Sequence, residues 1–395
     1  MKIKELASDK KKVIRLILFV CMFVAALTAF SYGMVGLSKN KQGYQDIYAE
    51  SDEEAVLYAH DYTFKYYFTG RSGEIKEQRK RITSVYSYAL KRAYKLTDPK
   101  NTYTGFTNIA SINENRGEPL AVGVELYEIL KDAYAKTVEQ KGYNMFAGAL
   151  YSYWESILIL DHPEEFDPLV NPDTAERISR LTGMYADPAN FSLEFIDDEQ
   201  YLVSFTTSPG YDREAEELEE NGPVLDLNLL RDAYVIEIVG QALIAEGFTD
   251  GYITSVSGLT YALDKQHGME YCIYGMNNGI PAILETARIK RRSAFSCFKA
   301  FGFGREEMYH TLNGGGRTVY RNPYISALDG YSGDRYLSLY NVLDDGDAAL
   351  PGFDADHPCA GAVYRNIRIW SGTEEPGDNT YYVLQEEPGT VRTGK

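Results

Sequence analysis

Cysteine is scarce in this 395-residue chain: four copies, at Cys21, Cys272, Cys297 and Cys359. No two form a C-x-x-C pair, and Cys21 sits in an apolar run, so three remain for the rest of the chain. That number and spacing exclude a disulfide framework and a zinc site, and leave open a single disulfide among the three. No block recurs at a fixed period, which excludes solenoids and propellers. Bases are outnumbered, 40 against 57 acids, for a net charge of −17. Six of those bases fall within residues 1–15, so the first fifteen residues are net +4 and the rest is net −21. A body this acidic lacks the Lys/Arg patches that a phosphate backbone needs, which argues against nucleic acid as a partner. It is equally unsuited to lying flat on an anionic membrane.

What is present is distinctive. Tyrosine occurs 33 times, which fits an aromatic-rich surface and sheet, with a stacking platform for a flat ligand as the alternative. Residues 16–37, LILFVCMFVAALTAFSYGMVGL, carry no charge over 22 positions, long enough to span a bilayer. The bases precede this run, which orients the N-terminus toward the cytoplasm. A cleaved signal peptide competes, with Ala29 as a weak cleavage position; a lipid anchor through Cys21 is disfavoured by Val20 before it. The expectation is a basic cytoplasmic tail (1–15) and a signal-anchor helix (16–37). A polar stalk (38–55) and one external domain (56–395) follow. The protein would sit in the cell membrane as a single-pass chain with its main domain outside.

Hydrophobic periodicity predicts helices over 73–96 and 123–140 and a strand pair over 191–210. The acidic stretch 213–224 reads as a solvated loop. Over 225–248, Leu230, Tyr234, Ile238 and Ala242 stack at i, i+4 and Val235, Val239 and Leu243 widen the stripe, so this helix packs on a sheet. Its first turn holds Asp226 and Asn228: either one caps the helix, or the helix N-terminus faces an anionic ligand. Strands follow near GYITSVSGL, MEYCIYG, AILETARIK and RTVYRNPYIS, and 332–343 (SGDRYLSLYNVL) reads as a helix. The C-terminal stretch with WSGTEEPGDNTYYVLQEEPG reads as a strand pair. Without a regular βαβ rhythm, the class is α+β.

The order of several segments is informative: TNIASIN, GEPLAVGVELYEILKDAYAKT, KGYNMFAGALYSYW, LDLNLLRDAYVIEIVGQAL, SVSGL, SAFSC, MYHTLNGGG and SGDRYLSLYNVL. Together, over residues 94–345, this succession resembles the FAD:protein FMN transferase family (ApbE-type). The resemblance implies a T-fold-like architecture of mixed and antiparallel sheets packed with helices. It also implies a reaction: FAD is split at its pyrophosphate, FMN passes to a threonine hydroxyl of an external flavoprotein of an electron-transfer system, and AMP leaves. Mg2+ is needed in the family, as suits a strongly negative pyrophosphate. By the same resemblance Asp334 and Ser338 are the metal-ligand positions, with Leu229 at the position whose carbonyl approaches the metal. As residues of a helix, Asp334 and Ser338 would share one face. Asp226 and His310 match a flavin-binding Asp and a His of the site, and Asp334 is the candidate base for the acceptor hydroxyl. Trp154 closes its segment as a core residue.

The departures define a second reading. Asn144 replaces an Asp of the flavin site. Asp232 replaces a Lys, turning +1 into −1 where a pyrophosphate would lie; at ~4 Å and an effective dielectric of ~20 one such pair is worth about 4 kcal/mol. Arg231, one position away, is expected to point elsewhere around the helix. Ser257-Gly258-Leu259 replaces Gly-Gly-Asp, and the NGGG loop at 313–316 loses a carboxylate and a hydroxyl. The sequence therefore supports a membrane-anchored, Mg2+-dependent transferase using FAD. Its alternative is a catalytically degenerate flavin-binding or structural pseudoenzyme of the same family.

Overall fold

The structure is a computed structural model. It describes residues 41–50, 60–220, 222–263, 267–277, 279–289, 291–302, 306–314, 317–333, 335–344, 356–376, 382–387 and 390–394. The expected membrane span, 16–37, lies outside these; among the described residues no helix is long and apolar enough to cross a membrane.

One eight-stranded sheet organises the chain. Its strands are β1 (Gly43–Ile47), β2 (Tyr62–Phe68), β3 (Gly251–Ser255), β4 (Thr260–Ala262), β5 (Ser293–Lys299), β6 (Ser338–Asp344), β7 (Tyr382–Glu387) and β8 (Thr390–Gly394). They lie side by side in chain order, each antiparallel to the next. The helices are α1 (Ser72–Thr97), α2 (Ile109–Glu114), α3 (Val124–Val138), α4 (Gly148–Leu158), α5 (Pro172–Ala186), α6 (Pro209–Glu217), α7 (Arg231–Ala245) and α8 (Pro358–Trp370). Most are inserted between β2 and β3. This is the α+β class that the irregular element order implies. Edge strand β1 lies within the polar stretch expected to be a stalk.

Alternation explains the half-covered strands. In β2, Tyr62, Phe64, Tyr66 and Phe68 are buried while Thr63 is exposed, the period-2 pattern of a sheet with one packed face. Strand β5, SAFSCFK, is buried at every position, because both faces are covered. Ala294 and Phe298 join the main core, and Asn366 of α8 donates to Ser296 Oγ at 2.9 Å. Phe295 and Cys297 instead pack under the hairpin Met269–Asn277/Ile280–Ile289. Gln385 of β7 docks that hairpin, exchanging two 2.7 Å hydrogen bonds with the backbone of Met276.

Helix α7 lies against the sheet as its stripe predicts. At Gly240 an added Cβ would meet Tyr261 Cε1 at 2.7 Å, so the close approach needs glycine. Buried Glu237 of α7 holds the N-terminus of α8: its Oε1 accepts from the Cys359 and Ala360 amides at 2.6 and 3.1 Å, and Oε2 lies 2.8 Å from His357 Nδ1. Burial pushes this carboxyl up, against the pull of His357 and the two amides.

Three expectations need correction. Residues 213–224 are not simply a loop: their first part belongs to α6, opened by Ser208, whose Oγ accepts from the Tyr211 amide at 3.0 Å. Arg180 binds Glu214 and Glu217 across to α5, so the acids serve helix docking. Residues 332–343 are not a helix: 338–344 form β6. A short apolar run fits helix or strand equally by periodicity, and here burial on both faces decides it, with Leu339 and Leu343 in the main core and Tyr340 under the hairpin. The third is α8, which had no predicted counterpart. Cys272, Cys297 and Cys359 are free thiols.

Candidate functional site

Residues 225–232 are held rigidly. Asn113 clamps the Leu225 backbone from both sides, donating to its carbonyl at 2.8 Å and accepting from its amide at 2.9 Å. The Asp226 amide donates to the Met145 carbonyl at 2.8 Å, and Tyr143 OH donates to the Leu227 carbonyl at 3.2 Å. Helix α4 presses on the same segment: a Cβ at Gly148 would meet the Pro223 carbonyl oxygen at 2.3 Å. Asp226 does not cap α7. Its Oδ1 accepts from the Asn228 amide at 2.9 Å, an Asx turn. Asn228 has φ +50°, which Asn tolerates better than most residues, and Asn228–Leu230 form a 3-10 turn before α7 begins.

This turn forms one wall of a cavity of about 390 Å3, within the range of small-molecule sites. The other walls come from the start of β2, the loop after α1, helix α4, the β3–β4 turn, β5 and α8. Seven aromatic residues line it: Tyr62, Tyr94, Tyr151, Trp154, Phe298, Tyr309 and Tyr324. Phe298 and Tyr324 are stacked with centroids 3.9 Å apart. Trp154 is both core and wall, buried with its Nε1 donating to the Asn322 carbonyl at 2.9 Å.

The charged lining is five acids, Asp61, Asp98, Glu155, Asp226 and Asp232, against Lys100 and Arg231. Burial pushes the Asp226 carboxyl up, opposed by the Asn228 amide and the Arg231 guanidinium. At Asp98 the opposite balance holds. Burial would raise it, but donors from Asn101, Tyr103 and the Lys100 amide outweigh that and pull it down. Asp232 Oδ1 accepts from Tyr62 OH at 2.7 Å. Burial first, and Asp232 next, push the Tyr62 phenol well above its usual range, so Tyr62 stays a proton donor. Arg231 stacks over Tyr94, 4.5 Å from the ring centroid. It lines the cavity together with Asp232, each on its own partners: Arg231 at Tyr94 and Thr97, Asp232 at Tyr62.

Of the residues singled out from the sequence, Asp226, Leu229 and Asp232 line this cavity, and Asn144, His310 and Ser338 do not. Asn144 is a local brace: its Nδ2 donates to the Tyr185 carbonyl, its Oδ1 accepts from the Phe146 amide, and its own carbonyl accepts from Asn228 Nδ2. His310 begins the hairpin His310–Gly314/Arg317–Arg321, its Nε2 3.8 Å from Asp167 Oδ2. Asp167 is fully buried and bound twice by Arg321, at 2.6 and 3.1 Å. Burial works against its charge, but His310 and Arg321 prevail and hold it at about 2. Ser338 is fully buried at the start of β6, opposite Lys299 and Gln385. Asp334 lies outside the described residues. The premise that Asp334 and Ser338 share one helix face fails with the helix itself.

Tyr62, Tyr94, Tyr151 and Arg231 are among the cavity residues that sequence reasoning passed over as site groups. Arg231 alone carried a signal, as a base beside the misplaced acid.

No family model and no curated protein matches the chain. Among solved structures it is similar to the ApbE protein of Thermotoga maritima, at 12% identity and a TM-score of 0.57, over 89% of this chain and 97% of that one. It is also similar to the flavin transferase ApbE of Vibrio cholerae, at 10% identity and a TM-score of 0.55, over 90% and 98% of the two chains. The chain has the ApbE fold over most of its length.

Proposed function

We propose that this chain is a flavin-transferase-like protein that takes FAD into the cavity at the 226–232 turn and passes FMN to a threonine hydroxyl of a partner flavoprotein. The carrying observation is the position of that turn. In an ApbE-like fold, the segment matching the family's flavin-binding motif lines a rigid, aromatic-walled cavity. The reaction joins the threonine oxygen to the FMN phosphorus and breaks the pyrophosphate bond, so AMP departs with the bridging oxygen. The hydroxyl proton goes to a carboxylate, for which Asp334 is the proposed base. The aromatic rings suit the flat flavin, and buried Asp226 suits a polar ring edge. The proposal places the domain outside the cell membrane, anchored by residues 16–37.

Mg2+ dependence is part of the proposal. When bound, the ion would neutralise the charge developing on the pyrophosphate. Among the described residues no cluster of three His, Cys, Asp or Glu side chains is placed to hold a metal. Leu229 lines the cavity and Ser338 does not, Asp334 lies outside the described residues, and no step above passes through a metal.

A second reading, a flavin-binding pseudoenzyme, is favoured by the acid-rich lining and by the absence of His310 and Ser338 from the cavity. Incubating the full-length chain with FAD, with and without Mg2+, separates the two readings. Mg2+-dependent AMP release is expected for the transferase. FAD retained without AMP is the outcome for the pseudoenzyme, and neither AMP nor retained FAD contradicts both.

A further inference from the structure

Three of the cavity's five acids are engaged by hydrogen bonds. Asp98 accepts from the Lys100 and Asn101 amides, Asn101 Nδ2 and Tyr103 OH, at 2.7–3.3 Å. Asp232 accepts from Tyr62 OH, and Asp226 from the Asn228 amide. Arg231 is in the opposite position. Its guanidinium carries five N–H donors, and among the described residues the guanidinium makes one hydrogen bond, a long one from Nε to Thr97 Oγ1 at 3.4 Å. Among the described residues its Nη2 is buried without a partner, as are the Tyr151 hydroxyl and Asn228 Oδ1 of the same lining. A buried guanidinium nitrogen left unpaired is costly. Burial lowers the basicity of Arg231, but Tyr62, Tyr94, Asp226 and Asp98 together prevail and raise it, so the group is a permanent cation. The guanidinium lies over the Tyr94 ring, a cation–π contact that favours its charged form. Of these three unmet groups, Arg231 Nη2 is the one that belongs to a cation.

We propose that Arg231 is the residue that recognises the anionic part of the ligand, its Nη2 donating to a phosphate oxygen. Arg231 supplies from the neighbouring helix position the cation missing at Asp232, whose carboxylate is held by Tyr62. The ligand class is a phosphate-bearing molecule with an aromatic ring, the ring lying against the tyrosines and the phosphate against the guanidinium. This rests on the cavity being the ligand site and not on any transfer step, so its failure is distinguishable from that of the transferase reading.

The test uses the full-length chain and compares FMN with riboflavin, which has the same ring and no phosphate, by fluorescence titration; inorganic pyrophosphate is titrated separately by calorimetry. The native chain is expected to prefer FMN. In Arg231→Gln that preference falls about tenfold or more, toward equal affinities, with riboflavin binding retained. Arg231→Lys, which keeps the charge and loses the planar fork, recovers part of it. A merely structural role would weaken both ligands equally, so an unchanged ratio in Arg231→Gln overturns the proposal. If Arg231→Gln does not fold, the ratio in Arg231→Lys decides: a reduced preference supports the proposal and an undiminished one overturns it. If the native chain binds pyrophosphate in an Arg231-dependent way but neither flavin, the anion site stands and the flavin reading falls. If it binds neither FMN nor pyrophosphate, the proposal is overturned.

Discussion

The hydroxyl of Tyr62, 2.7 Å from Asp232 Oδ1, changes what an acid at that position does. An unpaired carboxylate at the cavity wall would repel a pyrophosphate directly; one that accepts a phenol proton offers a phosphate less of its lone-pair density while keeping its charge. Asp232→Asn preserves an acceptor for Tyr62 and removes the charge. The expected outcome is FAD affinity higher by about three- to tenfold, read by quenching of flavin fluorescence. Equal or weaker binding would show that the phosphates do not lie beside Asp232. The sequence made Asp232 conspicuous because its neighbours fell into a motif. Tyr62 could not be found that way: it is 170 positions distant in the chain, and only the β2–β3 pairing and the α7 packing bring the two together. Arg231 was visible as a letter, but its partners Thr97 and Tyr94 are more than 130 positions away in the chain.

Among elements, the hairpin His310–Gly314/Arg317–Arg321, after the 3-10 turn Glu306–Met308, illustrates a similar limit. Its strands were partly legible, with RTVYR as a strand, but its attachment to the domain was not. Arg321 and His310 converge on Asp167, a residue that no motif marked. Removing the cation in Arg321→Met leaves a buried carboxylate uncompensated, and the expected loss is about 3–5 kcal/mol in urea unfolding at pH 7. The acid side provides a check. The folded pKa of Asp167, about 2, lies below the ordinary value of ~3.9. Its stabilising contribution is therefore present above pH ~4 and is lost as pH falls toward 2, by roughly 2 kcal/mol. Native protein should lose that stability across this interval, and Arg321→Met should lose less; parallel acid titrations of the two would contradict the assignment. The long amphipathic helices α1, α3 and α7 were legible because their 3.6-residue stripes extend over several turns. Strand β6 was not, because a short run with buried residues on both faces carries no clear period. α8 was missed for want of a motif, and its N-terminus is completed by Glu237 from another helix.

For the whole molecule, the consequence of the fold is positional. The eight strands run in chain order, so the helical insertion between β2 and β3 brings the 226–232 turn back beside the start of β2, and the later segments complete the cavity with β5 and α8. The α+β class was legible from the irregular order of elements, and the ordered motifs indicated the ApbE-like fold that the solved structures share. The composition of the cavity was not legible, because its wall draws on segments from Asp61 to Val363. The net charge of −17 adds a whole-molecule penalty for any polyanion, which places the burden of phosphate recognition on few groups. The central claim is that FAD occupies this cavity, and a crystal structure of the chain grown with FAD tests it most directly. The account predicts density for the flavin ring among Tyr62, Tyr94, Phe298 and Tyr324, with a phosphate oxygen within hydrogen-bond distance of Arg231 Nη2. FAD ordered elsewhere on the molecule, or an empty cavity at saturating FAD, would contradict it.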